Sequence, residues 1–462
     1  MDVQYMAYWL DGDGTQHLMD PDLPLQGVKI TREMNGLGRL TASLPPEYGK
    51  AYGYSMRPVI QEWATAIYVE IDGDLFDGFI IAETDDDNEK LSIDAVGWLG
   101  YATGQPWNDR SRNYSVGGVP ARTPIPVMMS ELQRLRGANI GLQVSTDPGN
   151  RSWPIIGEPV WDEVPNPRPP GSKPRATAGA QPKAPSYPSY PTTGSADWKK
   201  KEYERLKRKY AADRKAYDAA LKLWRARTDQ DRKNEQAWTE RKNQFDQDIK
   251  ERKRMIEDAK FKMNYWSTHD LLQEFQNLSK EAGFSYRVDH RRSGNTHTHT
   301  LVCRPGRLGS RRLDVAFMEG ENVYSVPKVT RQGDEKVTSA IVLGNGEGSA
   351  MKWNQTSRAA GGGNGLRRAR VFADKTLTRQ PQLAARAREI LNAYNDPIDI
   401  DEFIVIDHGL APIRVFDVGD EINLQTFARR AGNFNRWVTI QSITLEPEKN
   451  VMSVKVVPVE QE

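Results

Sequence analysis

Residues 198–265 read WKKKEYERLKRKYAADRKAYDAALKLWRARTDQDRKNEQAWTERKNQFDQDIKERKRMIEDAKFKMNY, 68 positions without a glycine or a proline. Lys, Arg, Glu, Asp, Ala and Gln dominate, which is the composition of a long helix. Aromatic residues recur at seven-residue spacing at Tyr203, Tyr210, Tyr217, Trp224, Trp238 and Phe245. Leu221, Ile249, Ile256 and Met263 fall on positions four later in the same repeat. A helix with one narrow apolar stripe needs a partner along its length. The stripe skips Asp231, inside the polar run RTDQDRKNEQ. Two arrangements follow: one helix in a parallel trimeric coiled coil, whose aromatic core positions would make a wide seam, or a hairpin that folds back near residue 231.

Immediately upstream, from Pro154 to Thr193, the composition changes to Pro, Ser, Gly, Ala and Lys, as in NPRPPGSKP and PKAPSYPSYPTT. So little apolar content cannot form a core, and the stretch reads as an extended strap. The 68 helical residues rise about 100 Å, and roughly 40 extended Pro-rich residues span about 120 Å. The strap could therefore run out and the helix run back.

Both flanks of this insertion read as β structure. Residues 1–105 carry short alternating segments separated by Asp11-Gly12-Asp13-Gly14, Asp72-Gly73-Asp74 and Asp85-Asp86-Asp87-Asn88, turn chemistry suited to tight hairpins. An amphipathic helix is expected over 124–136, covering a barrel. Ser267-Thr268-His269-Asp270 caps a helix from Leu271 to Ala282 that stops at Gly283, and strands close the chain at 402–407, 420–425, 437–445 and 451–457. The expected fold is mainly β with a long α insertion: two antiparallel β-barrel domains, an α/β connector and a long coiled-coil helix. The boundaries are 1–120 for the first barrel, 121–156 for a short helical connector, 157–197 for the strap and 198–265 for the helix or hairpin. An α/β connector at 266–345 and a second barrel at 346–462, with its glycine-rich loop, complete the chain. A faint echo links the barrels, since Gly78-Phe-Ile-Ile-Ala-Glu-Thr and Lys90-Leu-Ser-Ile-Asp-Ala-Val resemble Trp437-Val-Thr-Ile-Gln-Ser-Ile and Asn450-Val-Met-Ser-Val-Lys-Val-Val in order and turn chemistry.

Composition removes several function classes. Lys plus Arg total 64 against 62 acidic residues, so no global positive field marks a nucleic-acid binder. Mean hydropathy is −0.70, the first residues MDVQYMAYWLDGDG lack the pattern of a secretion signal, and no run of 18 apolar residues marks a membrane span. Cys303 is the only cysteine, which excludes an intrachain disulfide and argues against a cysteine zinc site.

Chemistry-bearing motifs are sparse. His297 and His299 in Thr296-His-Thr-His-Thr would share one strand face, where three chains around an axis could offer six nitrogens to a metal, or they simply line a polar hairpin strand. Cys303 follows Leu301-Val302 and reads as a small buried hydrophobe rather than a nucleophile. The loop from Asp11 has Gln16 and Asp22 where a calcium loop needs glycine and a bidentate glutamate. Neither Gly344–Gly348 nor Gly361–Gly365 continues into a phosphate-binding motif. Arg358, Arg367, Arg368 and Arg370 flank the second glycine cluster as a solvated or interface loop, or as a contact for DNA or an acidic surface. No catalytic residue and no cofactor site are assigned, and the chain reads as a non-enzyme.

Several segments, taken in order, resemble a known family. They are Leu75-Phe76-Asp77-Gly78-Phe79-Ile80-Ile81 followed by Leu91-Ser92-Ile93-Asp94-Ala95-Val96-Gly97, then Gly320-Glu321-Asn322-Val323, the Ala-Ile-Val-Leu-Gly-Asn-Gly-Glu-Gly run ending at Gly348, and Val418-Gly419-Asp420-Glu421-Ile422. This order resembles the tail-tip hub family of long-tailed bacteriophages, especially the minor tail proteins of phages infecting actinobacteria, with distant relatives in contractile-tail baseplates. The resemblance covers both ends of the chain but not the strap or the long helix. It implies two related barrels, three copies in a pseudo-sixfold ring, and a structural virion protein at the tail tip, assembled in the host cytoplasm. Its partners would be the distal tail protein, the tape-measure protein, other minor tail proteins and the host surface. The ring would close the distal end of the tail tube and open for genome ejection. The other readings are a tail-tip cell-wall hydrolase, a spike-complex hub of a contractile secretion or injection system, and a receptor- or glycan-binding tip protein.

Overall fold

The computed structural model describes residues 2–459 except 88, 109–112, 148–151, 160, 162, 191–195, 295, 326–328, 332–335, 347, 349–350, 358–365, 375–376, 378–379, 395–397, 401 and 429–431. The chain forms two units, one of residues 1–158 with 259–462 and the other of residues 159–258. It is mainly β with one long helix.

In the first unit the amino-terminal segment supplies β1 (Val3–Leu10), β2 (Gln16–Asp20), β3 (Gln26–Glu33), β4 (Arg39–Leu44), β5 (Thr65–Ile71), β6 (Asp74–Asp86) and β7 (Leu91–Gly97). Asp72 and Gly73, between β5 and β6, both have positive φ, 49° and 84°, as a two-residue primed hairpin turn requires. Further strands follow the insertion: β8 (Phe284–Ser293), β9 (Thr296–Pro305), β10 (Arg311–Met318), β11 (Phe403–Ile406), β12 (Glu421–Ala428), β13 (Gly432–Glu446) and β14 (Val451–Pro458).

The main sheet runs β10-β12-β13-β3-β4-β7-β6-β5-β1-β2, with β14 pairing β13 and β11. The join between the chain's two ends is antiparallel, Ser442–Leu445 of β13 lying opposite Ile30–Glu33 of β3. The segments expected to make two barrels therefore share one sheet. Its end strands β10 and β2 do not pair with each other, so the sheet is not closed.

This sheet separates two cores, and strand alternation decides which residue serves which. On β5, Ile67, Val69 and Ile71 enter a core shared with Phe317, Phe403 and Val454 from the carboxy-terminal strands. Ala66 and Tyr68 face the other way, into a second core with Trp98, Met128 and Phe275. Every residue of β5 is consequently buried. The second core is covered by α1 (Pro124–Leu132), by the β8–β9 hairpin and by α3 (Leu271–Ala282), the third of four helices. The Asp270 side chain accepts a hydrogen bond from the Gln273 N–H at the start of α3, and Gly283 ends it at φ 63°, the left-handed C-terminal stop.

A third, smaller core lies beyond β10. Ser339–Leu343 pairs antiparallel with Trp353–Ser357 and parallel with Ala369–Ala373. The fourth helix, α4 (Gln380–Ala393), packs Leu383, Ala387, Ile390 and Leu391 onto Ala340 and Val342.

The second unit is inserted at one place in the first. Ile155–Ile156 pairs with Val119–Pro120, and Phe261–Met263 pairs with Tyr114–Val116. Both flanks of the insertion thus end on the same short ribbon. Among the described residues, no helix is long and apolar enough to cross a membrane.

Candidate functional site

The second unit contains α2 (Asp197–Asp258), one continuous helix that passes through residue 231 without reversal. No residue on it is fully buried. Half-buried residues nevertheless recur at seven-residue spacing at eight successive positions: Tyr203, Tyr210, Tyr217, Trp224, Asp231, Trp238, Phe245 and Arg252. What lies against most of them is the chain's own strap. Tyr203 meets Tyr190 edge-on at 4.8 Å, and Tyr210 meets Tyr187 at 4.9 Å. The indole N–H groups of Trp224 and Trp238 donate to the carbonyls of Gly179 and Gly171, each at 3.1 Å, and Arg252 donates to the Pro165 carbonyl at 3.1 Å.

The strap runs antiparallel to the helix, and the register between them is a matter of pitch. From Tyr203 to Arg252 the helix advances 49 residues while the strap returns 25, from Tyr190 to Pro165. At 1.5 Å per helical residue the first distance is about 74 Å, and at 3.1 Å per polyproline II residue the second is about 78 Å. The strap is therefore fully extended, with close to half as many residues per unit length as the helix. Gly171 and Gly179, which receive the two indoles, have φ of 79° and 66°, a backbone conformation that costs glycine nothing.

Asp231, the polar break in the aromatic stripe, has a specific role. Its carboxylate accepts from the Thr177 N–H at 2.7 Å, the Thr177 hydroxyl at 2.8 Å and the Ala178 N–H at 2.9 Å. Proline-rich backbone has few N–H groups, and these two lie in its proline-free stretch 175–181. The hydrogen bond from Thr177 leads the effects that hold the Asp231 carboxyl below its ordinary pKa. Asp231→Ala is expected to speed amide hydrogen exchange at Thr177 and Ala178 while exchange near Gly171 stays as it was. Equal exchange at all these positions before and after the change would remove Asp231 from the clasp.

Of the remaining stripe residues, Leu221, Ile249 and Ile256 are half-buried on α2, and Met263 is buried in the first unit. Leu206, Leu223 and Trp198 are exposed on the helix, as are Tyr187 and Tyr190 on the strap.

In the first unit, His297 and His299 are 3% and 0% exposed, inside the second core of a single chain. His299 lies opposite His290 across the hairpin, Nδ1 to Nδ1 at 2.8 Å. One tautomer assignment accounts for most of these contacts. His290 Nε2–H faces Asp77 at 3.1 Å, His299 Nδ1–H donates to His290, and the Gln16 amide donates to His299 Nε2 at 2.9 Å. The Tyr68 hydroxyl donates to Gln16 Oε1 at 2.9 Å and also lies 3.0 Å from His299 Nε2, a contact that its one proton does not serve at the same time. Burial, then His290 and His297, lowers the pKa of His299 well below the ordinary histidine value.

His297 behaves as an aromatic ring. It stacks on Tyr68 at 3.9 Å and meets Tyr8 edge-on at 4.8 Å, while neither ring nitrogen has a hydrogen-bond partner among the described residues. Burial, then the Arg292 charge, holds its pKa at about 4. Among the described residues, no group of three or more His, Cys, Asp or Glu side chains is arranged to hold a metal ion. Sequence reading singled out two of these histidines and missed His290, Asp77, Gln16, Tyr68 and Trp98. Only the His-Thr-His alternation signalled the site, because the other partners arrive from strands up to 283 positions away.

No protein-family model matches the chain, and no curated protein matches its sequence. Solved structures are similar in fold. The 43 kDa tail protein of prophage MuSo2 from Shewanella oneidensis is 9% identical, with 99% of this chain and 98% of that one covered at a TM-score of 0.50. The prophage tail protein gp18 from Listeria monocytogenes is 9% identical, covering 99% and 95% at 0.46. An E. coli type VI secretion component, described as similar to the T4 tail proteins gp27 and gp5, is 8% identical, covering 95% and 75% at 0.40. The fold of this chain is that of the first of these tail proteins.

The other sequence candidates are also placed. Cys303 is buried, and burial raises its thiol pKa far above the ordinary range, which keeps it protonated and unreactive. Asp11 is bonded by Arg57 and by His17 at 2.6 Å, and the Thr15 side chain bonds Asp13; protein groups thus occupy these carboxylates of the acidic turn. Arg370 lies over Phe372 and Tyr394 at 5.6 and 5.9 Å, and Arg367 donates to the Ser339 hydroxyl at 3.3 Å. Both are exposed, and Arg370 lies over partly buried rings at the edge of the small third core. Arg358 and the Gly361–Gly365 cluster fall outside the described residues.

Proposed function

We propose that the chain is a structural component of a bacteriophage tail and that three copies form the hub closing the distal end of the tail tube. The observation that carries this reading is the whole-chain fold likeness to the prophage 43 kDa tail protein. The shared sheet supports it: strands from both chain ends make one rigid wall around a common core, suited to transmitting force. The hub would bind the distal tail protein and the tape-measure end on one side and further tip proteins on the other, and part on host contact to release the genome. Its place is the virion, and its work is mechanical rather than catalytic.

The trimer contacts belong to the strand unit in this account, because the aromatic stripe of α2 is largely occupied by the strap. A chain with residues 159–258 replaced by a short glycine-serine linker is expected to keep the subunit number of the full chain. Loss of association in that variant would move the contacts to α2 and restore the coiled-coil arrangement. Negative-stain electron microscopy tests the hub itself. Threefold rings are expected, and isolated single particles at every concentration would contradict it.

A specific observation favours a second role for α2 and its strap. Tyr187, Tyr190 and Trp198 are exposed beside Lys199, Lys200 and Lys201, aromatic and cationic groups suited to sugar faces and anionic envelope groups. Host-surface contact would be made there.

A further inference from the structure

A cavity of about 440 Å³ opens in the first unit where β3, the start of β6, the β8–β9 hairpin and the 413–420 segment converge. That volume lies in the range of ligand pockets rather than of single-water sites. Five arginines line it, Arg32, Arg287, Arg304, Arg312 and Arg414, against three aspartates, Asp74, Asp417 and Asp420. Asp77, Asp289 and Asp314 also pair with these arginines, and the carboxylates are not spread evenly over the five.

Four of the guanidinium groups are matched by carboxylates. Arg32 pairs with Asp417 at 3.0 Å and Asp77 at 3.3 Å, and Arg287 pairs with Asp289 at 2.7 Å. Arg312 pairs with Asp314 at 2.6 Å and Arg414 with Asp74 at 2.7 Å. Arg304 differs. Its Nη1 donates to the Leu308 carbonyl at 3.2 Å, and its buried Nε has no hydrogen-bond partner among the described residues. That Nε is sealed from solvent, so what Arg304 presents to the cavity is the remainder of a guanidinium that no carboxylate pairs among the described residues.

We propose that this cavity is an oxyanion site, filled by a carboxylate-bearing peptide segment of an assembly partner, with the unmatched guanidinium of Arg304 as its principal donor. A guanidinium presents parallel N–H groups that suit a carboxylate or a phosphate. The cavity wall also carries Leu75, Phe76, Ile413 and Phe416, apolar surface that would pack the methylenes of an acidic side chain and offers nothing to free phosphate. The identity of the occupant rests on reading the chain as an assembly component; the oxyanion site itself does not.

Calorimetric titration of the full-length protein with acetyl-Glu-Glu-amide, acetyl-Gln-Gln-amide and inorganic phosphate, repeated on Arg304→Met and Arg312→Gln, tests it. The glutamate peptide is expected to bind and the glutamine peptide not to, with affinity at least tenfold weaker in Arg304→Met. The melting temperature of ligand-free Arg304→Met should be unchanged or higher, since the unmatched donor is gone, whereas a purely structural arginine would lower it. Arg312→Gln, at a residue already neutralised by Asp314, should weaken binding less. Binding of phosphate in preference to the peptide would overturn the peptide as occupant. No binding of either anion, or binding indifferent to Arg304, would overturn the site, and neither result would alter the subunit number that tests the hub.

Discussion

Trp98→Ala is expected to destabilise the strand unit by about 3–5 kcal/mol, the range for removing a large aromatic side chain from a packed core. Trp98 is fully buried, its indole N–H donates to the Ile140 carbonyl at 2.9 Å, and its ring stacks on His299 at 3.7 Å. The substitution leaves a cavity beneath the β8–β9 hairpin and a carbonyl without its donor. Trp98→Phe retains much of the ring packing and loses the hydrogen bond, so its cost should be smaller, about 1–3 kcal/mol. Urea unfolding followed by circular dichroism measures both. Equal and small effects would mean that the hairpin is not held by this stack.

Acid should weaken the same region before most carboxylates titrate. Below pH 6.5 an unfolded His297 takes up a proton, whereas the buried, folded ring stays neutral down to about pH 4. The unfolded state then binds more protons, so stability falls as pH drops through that window, by about 3 kcal/mol for this one group. His299, lowered in the same direction, adds to the loss. Asp417 works the other way, since burial raises its carboxyl pKa despite Arg32 and Arg287, and its protonation favours the folded state. His297→Phe isolates the first effect. It keeps a ring against Tyr68, removes two unpartnered nitrogens, and should flatten the stability profile between pH 6.5 and 4 while matching or exceeding the parent at neutral pH. An unchanged slope would mean that His297 finds a proton-accepting partner in the folded state.

Much of the local structure was legible because it depends on near neighbours. The Asp72-Gly73 turn follows from a few adjacent residues, as does α3 with Asp270 at its start and Gly283 at its end, and the proline- and glycine-free run specifies α2. The partner of the aromatic stripe was harder to read. Seven-residue spacing states that something extended must lie along the helix, but an α-helix and a polyproline strap satisfy the same stripe. Asp231 looked like a gap for that reason; it is out of place against another helix and apt against backbone N–H groups. The buried histidines were legible only as an alternation. Their surroundings depend on β5 dividing two cores, and a strand buried on both faces gives no polar face to mark its orientation. That the two ends of the chain share one sheet depends on the β13–β3 pairing across more than 400 positions, which no local pattern encodes.

Whether copies of this chain assemble as a tail hub is decided first by the mass of the purified protein in light scattering. A species at three times the 52.3 kDa chain mass is expected, and a single-chain mass maintained across the accessible concentration range would overturn the hub reading.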